Sequence, residues 1–509
     1  MTEVVLRGRS LTIEDVVSVA RHGASLSIGI EVEDAINRAR ELVEKMVRDN
    51  VPVYGVTTGI GEFARVRIDP EDCEELQRRI IRSHCASTGD VQPAEVVKAA
   101  MLLRAHTLTR GHSGVRRKVI DTYVEMVNRG VIPVVYEKGS VGCSGDLSPL
   151  SMLALAIIGE GEAFYEGERM HSAEAMKRAG LDVINPSYKE GLGMINGTQM
   201  MAGEACLQLV DTIKLYKHAL LAFAMALDAL RAVQLPYDPR VHAIRPYHGA
   251  QATARALRQL WDGSGIIANG TGKVQDGYSM RCTPQVMGAS IDTFHHVRSQ
   301  IETEINSVID NPLFFPDDDV YLAAGNFHGQ PLAMAMDFLA IATAEVASLS
   351  ERHTNRLLNP ALSNGLPDFL VEGKGLNSGL MVAQYTQAAL CSENRIYSHP
   401  AVVDNVSVSA DQEDHVNMGP VAIRKYKEML KNTQTVIAIE MLCAAQAMDF
   451  RRPDVPGKGT GAAFDEIRRH IPFMADDRPL QVDILKMNEL LDSGELLAAA
   501  EAAAGEIML

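Results

Sequence analysis

Apolar residues recur at three- and four-residue intervals through residues 74–83, 93–109, 115–129, 200–234, 285–309, 331–358, 377–395 and 420–448, with few internal breakers. Several of these segments far exceed the ~11–12 residues of an average helix, so the chain is constrained toward a bundle of long helices. Extended structure is predicted only in short pieces, Val51–Val56 and Val131–Tyr136, each followed by a glycine-containing turn. No repeat, low-complexity tract or Pro/Ser-rich linker marks a boundary. A soft one is placed near residue 200, after the glycine-rich loop at 191–197, which divides an N-terminal region, 1–200, from a helical region, 201–509. The alanine-rich end, ELLAAAEAAAGEIML, is predicted as a surface helix that frays.

A chain of 509 residues can bury a large core. Its 49 Lys and Arg against 65 Asp and Glu leave a net charge of −16, which argues against a nucleic-acid or anionic-membrane partner. The seven cysteines are scattered without C-x-x-C spacing, so neither a disulfide framework nor a zinc ribbon is indicated and a reducing cytoplasm is expected. The N-terminus has early charges and no apolar h-region, against a signal peptide. The apolar stretch from Pro331 is interrupted by Asp337 and Glu345 and reads as a buried helix rather than a membrane span.

Six segments carry polar groups that a helical core does not need. The stretch Gly139–Leu150, GSVGCSGDLSPL, contains Cys143-Ser144-Gly145. Read alone, this is a polar turn. A small residue, a serine and a glycine can also cyclise: the Gly145 nitrogen attacks the carbonyl carbon of residue 143, and loss of two waters leaves a dehydroalanine unit in an imidazolone ring. Glycine suits the attacking position because it has no Cβ to obstruct the compressed turn.

Tyr54–Ala64, YGVTTGIGEFA, also fits a dinucleotide fingerprint at Gly59, Gly61 and Ala64. The helical LQRRIIRSHC that follows, in place of a second strand with a ribose-binding acid, argues against that reading. His84 closes a helix, where a C-terminal cap is the ordinary role. Lys189–Gln199 is a glycine-flanked turn holding Asn196, and Val274–Met287 holds Gln275, Tyr278 and Arg281, whose planar fork suits a carboxylate. Phe327 sits in GNFHGQP, and Glu413, Asp414 and His415 are adjacent in SADQEDHVNMG. Consecutive side chains diverge, so those three do not suggest a metal cluster.

Taken in chain order across residues 54–419, the segments resemble those of the histidine and aromatic amino acid ammonia-lyase family, whose electrophile is 4-methylideneimidazole-5-one (MIO). The resemblance extends through IDNPLFF at 309–315, NPALSNGLP at 359–367 and SENRIYSHPAVVD at 392–404. Departures are Cys143 where alanine is usual, Ile60 where phenylalanine is usual, and Thr283 where histidine enzymes often carry glutamine.

The resemblance implies a mainly α fold, a long-helix bundle of the fumarase/aspartase-like ammonia-lyase type, with a smaller N-terminal region carrying the MIO loop. It implies MIO formed from Cys143, Ser144 and Gly145, no metal or nucleotide, and a homotetramer whose sites draw on several subunits. Tyr54 would remove the β-proton. Arg281 and Asn196 would hold the substrate carboxylate, with Tyr278, Gln275 and Phe327 lining the pocket. His84 and Glu413 would meet an imidazole. Because a tyrosine ordinarily titrates near 10, Tyr54 is expected to need a depressed pKa or assistance from a helix terminus. Cys143, which gives only backbone atoms to the ring, is expected to be a bystander. The implied reaction is elimination of ammonia from L-histidine to give urocanate. Thr57, Thr283 and the sharing of His84 with tyrosine users favour the alternative, a tyrosine or phenylalanine ammonia-lyase or 2,3-aminomutase. A non-catalytic helical scaffold is the remaining reading.

Overall fold

The structure, a computed structural model, describes residues 3–509. Every predicted helical segment forms a helix, including Cys73–His84, Ala94–Leu108, Arg117–Arg129, Gln199–Ala229, Thr283–Ile305, Gln330–Leu358, Met381–Tyr397 and Gly419–Asp449. Strands are few and short, and the fold is mainly α. Among the described residues one helix, Gln330–Leu358, is long and apolar enough to cross a membrane, and 67% of its most apolar stretch is buried inside the protein.

Two expectations fail. Residues 51–56 form turns rather than a strand: Gly55 takes a positive φ, and the Val56 and Thr57 amides donate back to the Val53 carbonyl. The alanine-rich end does not fray. Glu495–Ala504 packs against Lys458–His470, with Leu496, Ala500 and Ile507 fully buried, because its small side chains let the helices approach closely.

The chain forms two compact units. One comprises the described residues through Leu209 together with Arg298–Asp337 and Pro400–Arg424. Its strands pair in small sheets, Glu3–Leu6 parallel to Ser25–Ile28, Thr88–Val91 antiparallel to Tyr136–Lys138, and Ile132–Pro133 beside the hairpin Glu162–Tyr165 and Glu168–His171. The predicted strand at 131–136 thus splits between two sheets. The core is helical: Ala94–Leu108 is buried on nearly every face and Leu147–Ile157 nearly so, both apolar around their circumference.

The other unit comprises Val210–Val297, Phe338–His399 and Lys425–Leu509. Its helices carry buried polar groups that find one another. The Tyr426 hydroxyl meets Thr212 Oγ1 at 2.7 Å and Thr343 Oγ1 at 3.0 Å, and Tyr216 meets Thr343 at 3.1 Å. Buried hydroxyls paired in this way avoid the ~1–3 kcal/mol cost of an unsatisfied group.

Candidate active site

The stretch Gly139–Leu150 folds as a loop running into the helix Leu147–Ile157. Gly145 has φ +71° and lies against Gly197 in a parallel bridge, and a Cβ built on it would run into the Gly197 carbonyl. Only glycine serves there. The Asp146 amide donates to the Gly197 carbonyl at 2.6 Å, and the Gly197 amide to the Ser144 carbonyl at 3.3 Å. From the other side, buried Asn417 donates through Nδ2 to the Gly142 carbonyl, and the Met418 amide donates to the Val141 carbonyl at 3.0 Å.

Asn196 follows the short helix Glu190–Ile195 and is almost wholly buried. Its Oδ1 accepts from the Ser144 hydroxyl at 2.6 Å, while Nδ2 donates to the Asn311 carbonyl at 2.9 Å. Buried Arg104 fixes the backbone beneath, donating to the Asn196 carbonyl at 2.5 Å and to Gln199 Oε1 at 3.0 Å.

A cavity of about 600 Å³ opens over this loop, lined by Tyr54, His84, Ser144, Asn196, Phe327 and Glu413 among others. The structure therefore gathers six of the expected residues around one space within the first unit. Ser144 is the member of its tripeptide that lines the cavity. Gln275, Tyr278 and Arg281 belong to the second unit and are not part of this lining. Tyr278 is 72% exposed there, with the Arg281 guanidinium 4.6 Å from its ring centroid.

Leu147, Leu192, Asn311 and Gln412 also line the cavity without having been singled out from the sequence. Asn311 lay within the IDNPLFF similarity and Gln412 beside Glu413. The two leucines lay within the segments 139–150 and 189–199 but did not stand out there, because an apolar residue in a helix reads as core.

The Tyr54 hydroxyl accepts from the Gly61 amide at 2.9 Å. Burial pushes this phenol above its ordinary value of 10, and the charge of Glu413 adds to the rise against the opposing Gly61 hydrogen bond. This reverses the expected depression, since no positive group offsets the desolvation. His84 commits Nδ1 to the Ile80 carbonyl at 2.8 Å, so the cap role holds together with its place at the cavity. Glu413 follows three consecutive left-handed residues, Ser409, Ala410 and Asp411, a conformation costing ~1–2 kcal/mol per residue.

Cys143 does not stand apart from the site. Burial pushes its thiol up to about 12, and the neighbouring Glu413 carboxylate, with which it interacts, adds to the rise. Burial likewise raises the Asp146 carboxyl to about 8, although Oδ2 accepts from the Met201 amide at 2.8 Å.

The loop fits an MIO group: glycine at 145 where no Cβ can stand, a serine hydroxyl held by Asn196, and clamps on both flanks. For a metal, the group that brings three ligand atoms together among the described residues is Glu466, His470 and Glu495 in the second unit. It does not include Glu413, Asp414 and His415.

The sequence profile of the aromatic amino acid lyases matches residues 11–469. A histidine ammonia-lyase of Symbiobacterium thermophilum is 48% identical over 506 residues, covering 99% of this chain and 100% of the relative. Among solved structures, histidine ammonia-lyase from Trypanosoma cruzi superposes with a TM-score of 0.91 at 38% identity, covering 99% of this chain and 96% of that one. Tyrosine aminomutase from Streptomyces globisporus superposes with a TM-score of 0.93 at 35% identity, with both chains fully covered. Fold and relatives together define a carbon–nitrogen lyase of the ammonia-lyase class. The chain belongs to the aromatic amino acid lyase family, whose MIO-dependent chemistry requires no metal.

Proposed function

We propose that the chain eliminates ammonia from L-histidine to give urocanate, with MIO formed from Cys143-Ser144-Gly145. The observation that carries this reading is that Glu413 lines the same cavity as Ser144. A carboxylate can accept from an imidazole N–H, which gives a physical reason to prefer histidine over phenylalanine. The names of the relatives at up to 48% identity agree.

The reaction must remove a weakly acidic Cβ proton and expel a poor leaving group, a task to which side-chain acids and bases are badly matched. When formed, MIO supplies an electrophilic methylidene carbon, derived from Ser144, that captures the amine or the aromatic ring. Asn196 keeps the Ser144 position fixed and, with Arg281, holds the substrate carboxylate. Tyr54 takes the β-proton at its phenolic oxygen. A phenol is protonated at neutral pH, and burial with Glu413 nearby raises its pKa further, so a positive charge brought in with substrate or a partner copy would assist proton removal. Phe327 lines the pocket. Gln275, Tyr278 and Arg281 complete the site from another copy in a homotetramer, consistent with the outward position of Tyr278.

Two of the three features that favoured a tyrosine or phenylalanine enzyme have local roles. Thr57 is buried and donates to the Val51 carbonyl at 2.6 Å, while Thr283 is buried and donates to the Ser279 carbonyl at 2.9 Å. The Thr57 hydroxyl does not line the cavity. Incubating the purified protein with His, Tyr and Phe and following product ultraviolet absorbance tests the proposal. Urocanate from histidine is expected; turnover of Tyr or Phe with none of His overturns it.

A further inference from the structure

The short helix Tyr278–Arg281 presents an exposed tyrosine stacked with an arginine, and its backbone is held by side chains from behind. His353, wholly buried, places Nε2 2.6 Å from the Ser279 carbonyl and Nδ1 2.9 Å from Glu440 Oε1. A carbonyl can only accept, so Nε2 carries a hydrogen and donates it; Glu440 on the other nitrogen fixes the ring in that orientation. Glu440 is itself wholly buried. The edge of the Phe223–His353 aromatic pair, 4.9 Å between centroids, closes the pocket around the ring. Three further side chains grip the same turn: Thr283 Oγ1 donates to the same Ser279 carbonyl at 2.9 Å, Arg356 Nε donates to Ser279 Oγ at 2.7 Å, and the Tyr237 hydroxyl donates to the Met280 carbonyl at 2.6 Å. The Arg356 guanidinium also fills the space where a side chain at Gly277 would stand.

A buried His–Glu pair costs more to desolvate than an apolar pair of the same size, so packing alone does not account for it. What it provides is a directed hydrogen bond to the middle residue of the turn that carries Tyr278 and Arg281. We propose that His353, oriented by Glu440, is a positioning residue that sets the aim of Tyr278 and Arg281. The inference rests on the roles proposed above for those two residues.

The test compares steady-state kinetics on histidine for His353→Phe, which keeps the ring shape but loses both bonds, and His353→Gln, whose amide can restore the donation to Ser279. Arg281→Lys and Tyr278→Phe serve as direct controls. With a carboxylate anchor misplaced, His353→Phe is expected to raise KM on the order of tenfold with a smaller loss in kcat, and His353→Gln to recover most of it. A KM within about twofold of the parent in His353→Phe, beside impaired controls, overturns the inference while leaving the roles of Tyr278 and Arg281 intact. A loss that His353→Gln does not recover assigns the effect to core packing and also overturns it. Unimpaired controls overturn the underlying roles, and the inference with them. Should the His353 variants fail to fold, partly exposed Arg356→Gln carries the test, with a severalfold rise in KM expected and an unchanged KM decisive against.

Discussion

Two loops meet at the cavity and are held in opposite ways. The loop at 139–146 is fixed from both flanks, by Asn196 and Gly197 on one and Asn417 and Met418 on the other, with no room for a Cβ at Gly145. The loop at 54–65 is buried over Gly55–Gly59, where Gln77 Nε2 donates to the Gly55 carbonyl at 2.9 Å, but its outer part is held mainly by bonds within the loop. Tyr54 accepts from Gly61, the Gly59 amide donates to Val66, and the turn Gly61–Arg65 buries none of its residues, leaving Phe63 68% exposed. A group that must form a ring from its own backbone needs its geometry set before the reaction. The difference separates a loop clamped on both flanks from one whose outer turn stands free of the core.

The largest loss is expected at Ser144. On the proposed mechanism Ser144→Ala removes the hydroxyl whose loss as water would create the reactive carbon, so turnover should fall on the order of 10³-fold or more with the fold unchanged. Intact mass gives the matching observation: the parent should be two waters lighter than its sequence and Ser144→Ala should not. A parent at full sequence mass would favour the non-catalytic scaffold. Gly145→Ala should have the same outcome for a different reason, since the methyl would displace the Gly197 carbonyl.

On the other loop, Tyr54→Phe removes one hydroxyl and one hydrogen bond from Gly61 while leaving the ring in place. The expected loss in kcat is ~10²–10⁴-fold, the range of a general base, with little change in thermal stability. A variant that keeps most of its kcat would show that proton removal lies elsewhere.

Glu413 joins the two loops electrostatically, because its charge raises the pKa of both Tyr54 and Cys143. A negative neighbour disfavours phenolate, so removing it must lower the tyrosine pKa. In Glu413→Gln the Tyr54 titration, followed by tyrosinate absorbance, is expected to move to lower pH. The KM for histidine should rise by roughly tenfold as a charge-assisted contact to the imidazole becomes a neutral one. A lower Tyr54 pKa with an unchanged KM would retain the electrostatic link and reject Glu413 as the reader of the imidazole.

How far the sequence reached follows from the same contrast. Helical periodicity persists over many turns, so the long helices were legible from spacing alone. Short extended pieces have no such redundancy, and at 51–56 Pro52 and Gly55 outweighed the valines. The cavity residues were legible because polar groups and glycines stood where a helical core needs none. Leu147 and Leu192 were not, since an apolar side chain looks the same facing a core or a pocket. Asn417 was hidden for a further reason: what it does depends on Gly142 lying against it, and the two are far apart in the chain. The direction of the Tyr54 shift required the distribution of burial and charge, which only the folded chain supplies.

The smallest effect is expected at Cys143, and it bears on what the fixed loop tolerates. The side chain takes no part in ring closure, which uses backbone atoms of residue 143 alone. Its thiol also does not compete as a nucleophile, because the thiolate is the reactive form and burial with Glu413 nearby pushes the pKa up to about 12. At neutral pH it is a neutral, weakly hydrogen-bonding group beside a carboxylate. Cys143→Ala should therefore keep kcat within about twofold, since a thiol is a weak donor and its loss leaves Glu413 to solvent and substrate. Alkylation of the parent by iodoacetamide at pH 8 should leave Cys143 unmodified. Ready labelling would mean that its thiolate is accessible after all. A large fall in turnover in Cys143→Ala, with the mass still two waters light, would instead place the thiol's effect on Glu413 rather than on the ring.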